Sequence, residues 1–234
     1  MIQPAPAGGR SRDRRRPGVR WRVVPRTFYA GDPLQVAPAL LNKLLVRRVP
    51  EGDGVLAARI VEVEAYRGGD DPAAHSYRGP TRRNATMFGP PGRLYVYFTY
   101  GMHWCANTVC GPVGVAHAVL LRAAAPVCGT EAMRAARPRA RRDRDLLRGP
   151  ARLCQAMGIV GDDDGADLVR GDRGLVVVDD GVPPPADPGV SGRIGIRHAT
   201  DRPWRWWVPG DPHVSAGRPG AVTGQAAGAP RAPG

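Results

Sequence analysis

The stretch Arg93-Leu-Tyr-Val-Tyr-Phe-Thr-Tyr-Gly-Met-His-Trp-Cys-Ala-Asn107 decides the fold of this chain. Aromatic residues alternate with smaller ones from Arg93 to Tyr100, which is typical of a β-strand. A second strand is predicted from Trp104 to Cys110. The residues between them, Tyr100-Gly-Met-His103, have the composition of a tight turn. The segment therefore predicts a β-hairpin with a tyrosine at its tip.

Outward from this hairpin, the hydrophobic periodicity predicts a mixture of strands and helices. Further strands are expected at Leu44–Val49, Val55–Tyr66, Ala116–Arg122, Leu175–Val178, Arg193–Ile196 and Trp204–Val208. Helices are expected from Asp32 to Leu45, around Gly129–Arg137 and from Pro150 to Met157. Pro38 lies inside the first helix and is expected to kink or shorten it. The pattern indicates a single α+β domain with an antiparallel sheet.

Composition divides the chain into a folded centre and two tails. Residues 1–24 are rich in arginine, glycine and proline, and are expected to form a basic disordered tail. Residues 25–215 are expected to form the folded domain. Residues 216–234 are rich in glycine, proline and alanine and are expected to be a second disordered tail.

The chain is strongly basic. Its 34 basic residues include a single lysine, Lys43, and its formal net charge is +13. Such a charge favours a polyanionic partner through counterion release. An arginine excess produced by codon bias explains the same numbers equally well. The segment from Arg134 to Arg152 carries eight arginines, which form either a phosphate-binding stripe or a solvated loop.

Four cysteines without a C-x-x-C pair are consistent with reduced thiols and a cytoplasmic protein. No apolar stretch approaches the roughly 18 residues of a membrane-spanning helix. The basic start lacks the apolar region of a secretory signal.

Glu64 is the first candidate for chemistry. On the predicted strand it shares a face with Ile60 and Glu62, while Val61, Val63 and Ala65 face the other way. A solvated strand face is the ordinary explanation of such a glutamate. Glu64, however, ends an apolar strand that enters a long loop, Gly68 to Gly92. Loops of that length inside a compact domain are often functional, so Glu64 is a candidate general base.

The tyrosines suggest an aromatic pocket. Tyr66 and Tyr97 could form two walls around a flat ligand, with His75 at the edge. Tyr100, at the hairpin tip beside Met102, is hard to explain as a core residue. A flat side chain on a protruding turn can enter a DNA groove and unstack a base.

Many short motifs in this sequence together resemble one family, the alkyladenine (3-methyladenine) DNA glycosylases. The resemblance extends from about Leu34 to Ser215. It is carried by the segments Arg59–Tyr66, Asp71–Ser76, Arg83–Asn84, Met87–Gly92, Leu94–Tyr97, Tyr100–Met102, Cys105–Asn107, Val119–Arg122 and Gly149–Ala156.

The resemblance implies a role for each candidate residue. Glu64 would activate the attacking water, and Arg122 would hold the carboxylate and the water in place. Tyr66, His75 and Tyr97 would enclose an extruded base, with Asn107 at the floor of the pocket. Tyr100 would enter the minor groove with Met102 beside it. It also implies a curved antiparallel sheet with flanking helices and a protruding hairpin, and no metal or organic cofactor.

The expected activity is that of a monofunctional DNA glycosylase in base excision repair. Such an enzyme flips alkylated or deaminated purines out of double-stranded DNA, hydrolyses the N-glycosidic bond and leaves an abasic site. The single lysine argues against an amine nucleophile. A monomer is the simplest expected assembly. Two alternatives remain open: a non-catalytic nucleic-acid-binding module, and a metal-dependent hydrolase that uses His75, Glu62 and Glu64.

Overall fold

A computed structural model describes residues 21–49 and 54–217 of the 234-residue chain. Within them lies one open antiparallel sheet of nine strands, accompanied by a few short helices. The strands are β1 (Arg22–Val23), β2 (Leu44–Arg48), β3 (Val55–Arg67), β4 (Leu94–Thr99), β5 (His103–Cys110), β6 (His117–Cys128), β7 (Leu175–Asp179), β8 (Gly189–Ser191) and β9 (Arg205–Trp207). The helices are α1 (Arg26–Tyr29), α2 (Pro33–Leu40), α3 (Thr130–Ala136) and α4 (Pro150–Met157). The predicted α+β class is confirmed.

The 13-residue strand β3 is the centre of the sheet. The strand order is β1-β7-β2-β3-β6-β5-β4, so β3 lies between β2 and β6. The second half of β3 also pairs with β9, with Glu62 opposite Trp207 and Glu64 opposite Arg205. Both glutamates therefore lie on the most enclosed strand of the molecule.

The predicted hairpin is confirmed as β4 and β5, which pair in register from Leu94↔Thr108 to Thr99↔His103. Tyr100, Gly101 and Met102 connect them, and the first two have φ angles of 51° and 66°. Met102 N–H donates to the carbonyl of Thr99 at 3.2 Å. Positive φ at both central residues is the requirement of a type I′ hairpin turn. A bulky side chain rarely adopts this conformation, so the turn holds Tyr100 in a strained position.

The predicted first helix is shorter than expected. Asp32 caps α2, its carboxylate accepting from Leu34 N–H at 2.8 Å, and Pro33 occupies the first turn. The helix includes Pro38 but ends at Leu40, and Asn42 follows with a φ of 66°. This left-handed residue reverses the chain into β2, so Leu44 and Leu45 belong to the sheet. The helix predicted from Pro150 to Met157 is observed with the same bounds, as α4.

Three other predictions are corrected. Residues 193–196 form an irregular loop, and the short strand lies earlier, at Gly189–Ser191. Strand β6 continues six residues beyond Arg122 to Cys128. Residues 22–24, assigned to the basic tail, join the sheet, because β1 pairs with β7 and Val24 is buried. Residues 1–20 and 218–234 of the two predicted tails lie outside the described residues.

The main hydrophobic core lies between one face of the sheet and helices α2 and α4. It includes Leu40, Val63, Leu121 and Leu153. The opposite face carries a smaller apolar cluster around Tyr95 and Met87, with Tyr97 packed against it. This second face is the one that forms the candidate site.

Candidate functional site

Two opposed β-bulges place the charged residues of the site. Ile60 pairs with Ala124 and Glu62 with Ala123, so Val61 is an extra residue on β3. The next pair, Val63 with Leu121, leaves Arg122 as an extra residue on β6. A bulge interrupts the strict alternation of side chains. The side chains of Glu62, Glu64 and Arg122 therefore lie close together on the face of the sheet opposite the main core.

The bulge corrects the predicted faces of β3. Ile60 was expected to share a face with Glu62 and Glu64, but it packs in the main core with Val63 and Ala65. The extra residue Val61 reverses the alternation between Ile60 and Glu62. Glu62 and Glu64 do share a face, as predicted.

A cavity of about 540 Å³ opens on this face of the sheet. Strands, the long loop, the hairpin tip, the start of α4 and the loop after β8 all contribute to it. Its lining residues are Tyr66, Pro72, Ala73, His75, Met87, Tyr95, Tyr97, Thr99, Tyr100, Cys105, Asn107, Leu120, Arg122, Pro150, Ile194, Gly195, Ile196, Arg197 and His198. Six of the eight sequence-predicted site residues are among them.

Glu64 lies directly behind the cavity wall and is fully buried. Three residues that line the cavity contact its carboxylate. Tyr66 O–H donates to Oε2 at 2.9 Å, and Ile194 N–H donates to Oε1 at 2.7 Å. Arg122 Nη1 lies 3.1 Å from the same Oε1. The carboxylate is thus fixed on three sides by groups that face the cavity.

The two buried glutamates differ in acidity. Burial raises the pKa of the Glu64 carboxyl above its ordinary value, although Arg122, Ile194 N–H and Tyr66 O–H oppose it. Burial acts in the same direction on Glu62, but there Arg122, Arg205 and Ser215 outweigh it, and the pKa of Glu62 is lowered. Glu64 is therefore the stronger base of the pair.

Aromatic side chains form the walls of the cavity. The rings of Tyr95 and Tyr97 stack with centroids 5.6 Å apart, and His75 packs edge-on against Tyr97 at 4.4 Å. The Arg193 guanidinium lies 4.6 Å from the centroid of the Tyr66 ring. Burial, helped by Arg83, lowers the pKa of His75, so His75 is neutral at pH 7. The aromatic part of the wall is thus flat.

Of the remaining predicted residues, Asn107 and Tyr100 line the cavity and Met102 does not. Asn107 is buried, and its Nδ2 donates to the carbonyl of Tyr95 at 3.4 Å. Tyr100 lines the cavity but is 81% exposed at the hairpin tip. Met102 is exposed on the same tip and is not a lining residue.

Sequence reasoning missed the part of the site contributed by the loop after β8. Ile194 supplies a backbone donor to Glu64, and a backbone N–H leaves no signature in the side-chain pattern. Neighbouring Arg193 is fully buried and paired with Asp71, Nη2 to Oδ1 at 2.8 Å. Asp71 and Arg193 lie 122 positions apart, so only the fold brings them together.

None of the eight arginines between Arg134 and Arg152 lines the cavity. Arg134 forms an exposed ion pair with Asp143 at 2.7 Å, and Arg137 donates to Gln155.

In the described ranges, no group of three His, Cys, Asp or Glu residues could hold a metal ion. His75, Glu62 and Glu64, the ligands of the metal-dependent alternative, thus do not form such a group. Within the same ranges, no helix is long and apolar enough to cross a membrane.

Comparison with known proteins identifies the family. The profile of the methylpurine-DNA glycosylase (MPG) family matches residues 27–212. A Burkholderia lata protein is 61% identical over 201 residues, which cover 85% of this chain and 95% of that protein. A Leifsonia xyli subsp. xyli protein is 51% identical over 203 residues, covering 81% and 90%. A Streptomyces avermitilis protein is 48% identical over 197 residues, covering 81% and 89%. All three bear the name "Putative 3-methyladenine DNA glycosylase". Because the family profile covers most of the chain, from residue 27 to residue 212, the chain belongs to the methylpurine-DNA glycosylase family.

Proposed function

We propose that this enzyme extrudes a damaged purine from double-stranded DNA and hydrolyses its N-glycosidic bond, leaving an abasic site for base excision repair. The observation that carries the proposal is the Glu64 carboxylate, fixed behind an aromatic cavity by three cavity-lining residues. Family membership makes the protein a DNA glycosylase, so the alternative of a non-catalytic binding module is set aside.

Among the described residues, the hydrogen bonds of Glu64 leave one acceptor position of its carboxylate unfilled. A carboxylate offers about four acceptor positions. Oε1 receives Ile194 N–H and Arg122, whereas Oε2 receives only Tyr66 O–H. A water bound at the remaining position of Oε2 would lie between the carboxylate and the cavity. Glu64 would deprotonate this water as it attacks the sugar carbon, and its negative charge would stabilise the cationic sugar in the transition state.

The chemistry of the leaving group favours alkylated purines. A purine alkylated at N3 or N7 already carries positive charge and leaves without protonation. The neutral state of His75 at pH 7 means that it is not a strong acid for the leaving base. Deaminated purines such as hypoxanthine are neutral, so we propose them as slower substrates of the same site.

The walls and the mouth of the cavity fit the extrusion of a base. Tyr66, His75 and Tyr97 would enclose the extruded purine, and Asn107 at the floor would reject the exocyclic amine of normal guanine. Tyr100, exposed on a constrained turn, would fill the gap left in the duplex, with Met102 beside it in the minor groove.

The central test is Glu64→Gln, which keeps the side-chain size but removes the base. We expect release of 7-methylguanine under single-turnover conditions to fall at least about 10²-fold, while binding to a lesion-containing duplex is retained. Asp180→Asn is a matched control, because Asp180 is another largely buried carboxylate, paired with Arg59 at 2.6 Å outside the cavity. Asp180→Asn should release the base at the wild-type rate. Retained release by Glu64→Gln would remove Glu64 from the mechanism.

A further inference from the structure

A second buried carboxylate, Glu62, lies beside the proposed base and is not used by the mechanism above. It is fully buried, and its oxygens accept from four donors. Oε1 receives Arg122 Nε at 3.0 Å, Arg205 Nε at 2.7 Å and Ser215 O–H at 2.9 Å. Oε2 receives Ser215 N–H at 2.6 Å. Of the three residues that bind Glu62, Arg122 lines the cavity whereas Arg205 and Ser215 do not, so Glu62 is poorly placed to bind a reacting water.

Arg122 connects the two carboxylates. Its Nε binds Glu62 while its Nη1 binds Glu64. Arg122 is the bulged residue of β6, and its side chain is buried against both carboxylates. The bond from Nε to Glu62 fixes the plane of the guanidinium and so determines where Nη1 meets Glu64.

We propose that Glu62 is a positioning residue, which orients Arg122 against Glu64 and takes up part of the Arg122 charge so that Glu64 remains a strong base. This inference rests on the proposed function of Glu64. If Arg122 faced Glu64 alone, its full charge would stabilise the carboxylate and weaken it as a base. By sharing Arg122, Glu62 thus both fixes the orientation of the guanidinium and preserves the basicity of Glu64.

Among the residues that the structure describes, Glu62 is the one carboxylate that acts on the acidity of Glu64. The titratable and charged groups around the pair are Tyr66 on β3, Tyr97 on β4, Cys105 on β5, Arg122 on β6, Arg205 on β9 and Arg193 in the loop after β8. Burial raises the pKa of Tyr66, Tyr97 and Cys105, so these groups are neutral near pH 7. Glu62 is the anion among them.

Glu62→Gln tests the proposal through the pH dependence of base release. The amide oxygen can still accept from Arg122, but the negative charge is gone. We expect the acid limb of the single-turnover rate on 7-methylguanine DNA to move to lower pH, on the order of one unit, with a slower plateau. A merely structural role would lower thermal stability and leave the limb in place, as expected of the control Asp180→Asn.

Arg205→Gln gives a second readout of the opposite sign. Without Arg205, Glu62 competes more strongly for Arg122, so the acid limb of base release should move to higher pH. Arg205→Lys keeps the positive charge and should therefore keep the limb at the wild-type pH. If Glu62→Gln does not fold, Arg205→Gln decides. A limb that stays at the wild-type pH in the folded variants overturns this inference alone. Absence of base release by wild-type protein would instead overturn the proposed function.

Discussion

At the scale of single residues, two glutamates two positions apart have opposite properties. Both are buried on the same face of β3. Glu62 has two arginines and Ser215 around it, and its pKa is lowered. Glu64 shares one arginine, and burial raises its pKa. The number of cations that reach each carboxylate, rather than its position in the sequence, decides which one can accept a proton.

The raised pKa of Glu64 predicts the pH profile of the wild-type enzyme. Only the ionised carboxylate can deprotonate water, so activity should be lost as pH falls through this raised value. We expect the acid limb of single-turnover 7-methylguanine release to lie above the ordinary glutamate value of about 4.3. A rate that stays constant down to that pH would contradict the prediction. Glu64→Gln provides the control, because its residual rate should show no such limb.

At the scale of elements, the β4–β5 hairpin presents Tyr100 on a turn that only a few residue types tolerate. Its positive φ of 51° is unfavourable for a tyrosine. Tyr100→Ala would therefore combine loss of the ring with a change in the turn. Asparagine accepts the left-handed conformation more easily, so Tyr100→Asn removes the ring and keeps the hairpin.

We expect Tyr100→Asn to slow base release from duplex DNA by roughly 5- to 150-fold, the equivalent of the 1 to 3 kcal/mol that stacking contributes per base. The single-turnover rate on a duplex should fall more than the rate on a single-stranded substrate, which needs no extrusion. Tyr100→Phe keeps the ring and should stay close to wild type. Equal duplex rates for Tyr100→Asn and wild type would reject Tyr100 as the intercalating residue.

The long loop after β3 and the loop after β8 are joined by the Asp71–Arg193 ion pair. Both side chains are fully buried, and Arg193 also lies against the Tyr66 ring and donates to the carbonyl of Ala65 at 2.9 Å. This pair holds together the two loops that carry His75 and Ile194. It is therefore the main ionic link between the aromatic wall and the backbone donor of Glu64.

Asp71→Asn should strongly destabilise the protein, because it leaves a buried arginine without its counter-charge. We expect a loss of about 3 to 5 kcal/mol in the free energy of unfolding, measured by urea denaturation. Asp143→Asn removes an ion pair of similar length that Asp143 forms with Arg134. Both of these side chains are 49% exposed, so the substitution should cost at most about 1 kcal/mol. Equal losses for the two variants would show that burial of the Asp71 pair does not matter.

At the scale of the whole molecule, the sheet separates the core from the cavity and also isolates the single lysine. Lys43 is buried and its ammonium binds Asp179 on β7 at 2.8 Å. Strand β7 is separated from β3 by β2, and Lys43 is not among the cavity-lining residues. An amine in this position cannot reach a sugar held in the cavity.

The enzyme should therefore be monofunctional. We expect borohydride treatment during turnover to trap no covalent protein–DNA adduct, and Lys43→Arg to release 7-methylguanine at the wild-type rate. A trapped adduct that disappears in Lys43→Arg would show instead that the lysine attacks the sugar.

The fold class, the hairpin with Tyr100 at its tip and the candidate site residues could all be predicted from the amino-acid sequence. These features are local or repeat along the chain: strand alternation, turn composition and short motifs are all visible in neighbouring residues. The position of α4 follows in the same way from Pro150 in the first turn of the helix.

Only the tertiary structure decided how the site is assembled. The bulges at Val61 and Arg122 arise from pairing between β3 and β6, and they correct the predicted face of Ile60. The donor at Ile194 and the partner of Asp71 come from a loop more than 100 residues away, where a strand had been predicted. The burial that raises the pKa of Glu64 comes from tertiary packing, in which that loop contacts the carboxylate through Ile194 N–H. Long-range pairing and burial depend on the whole packed molecule, so no window of neighbouring residues contains them.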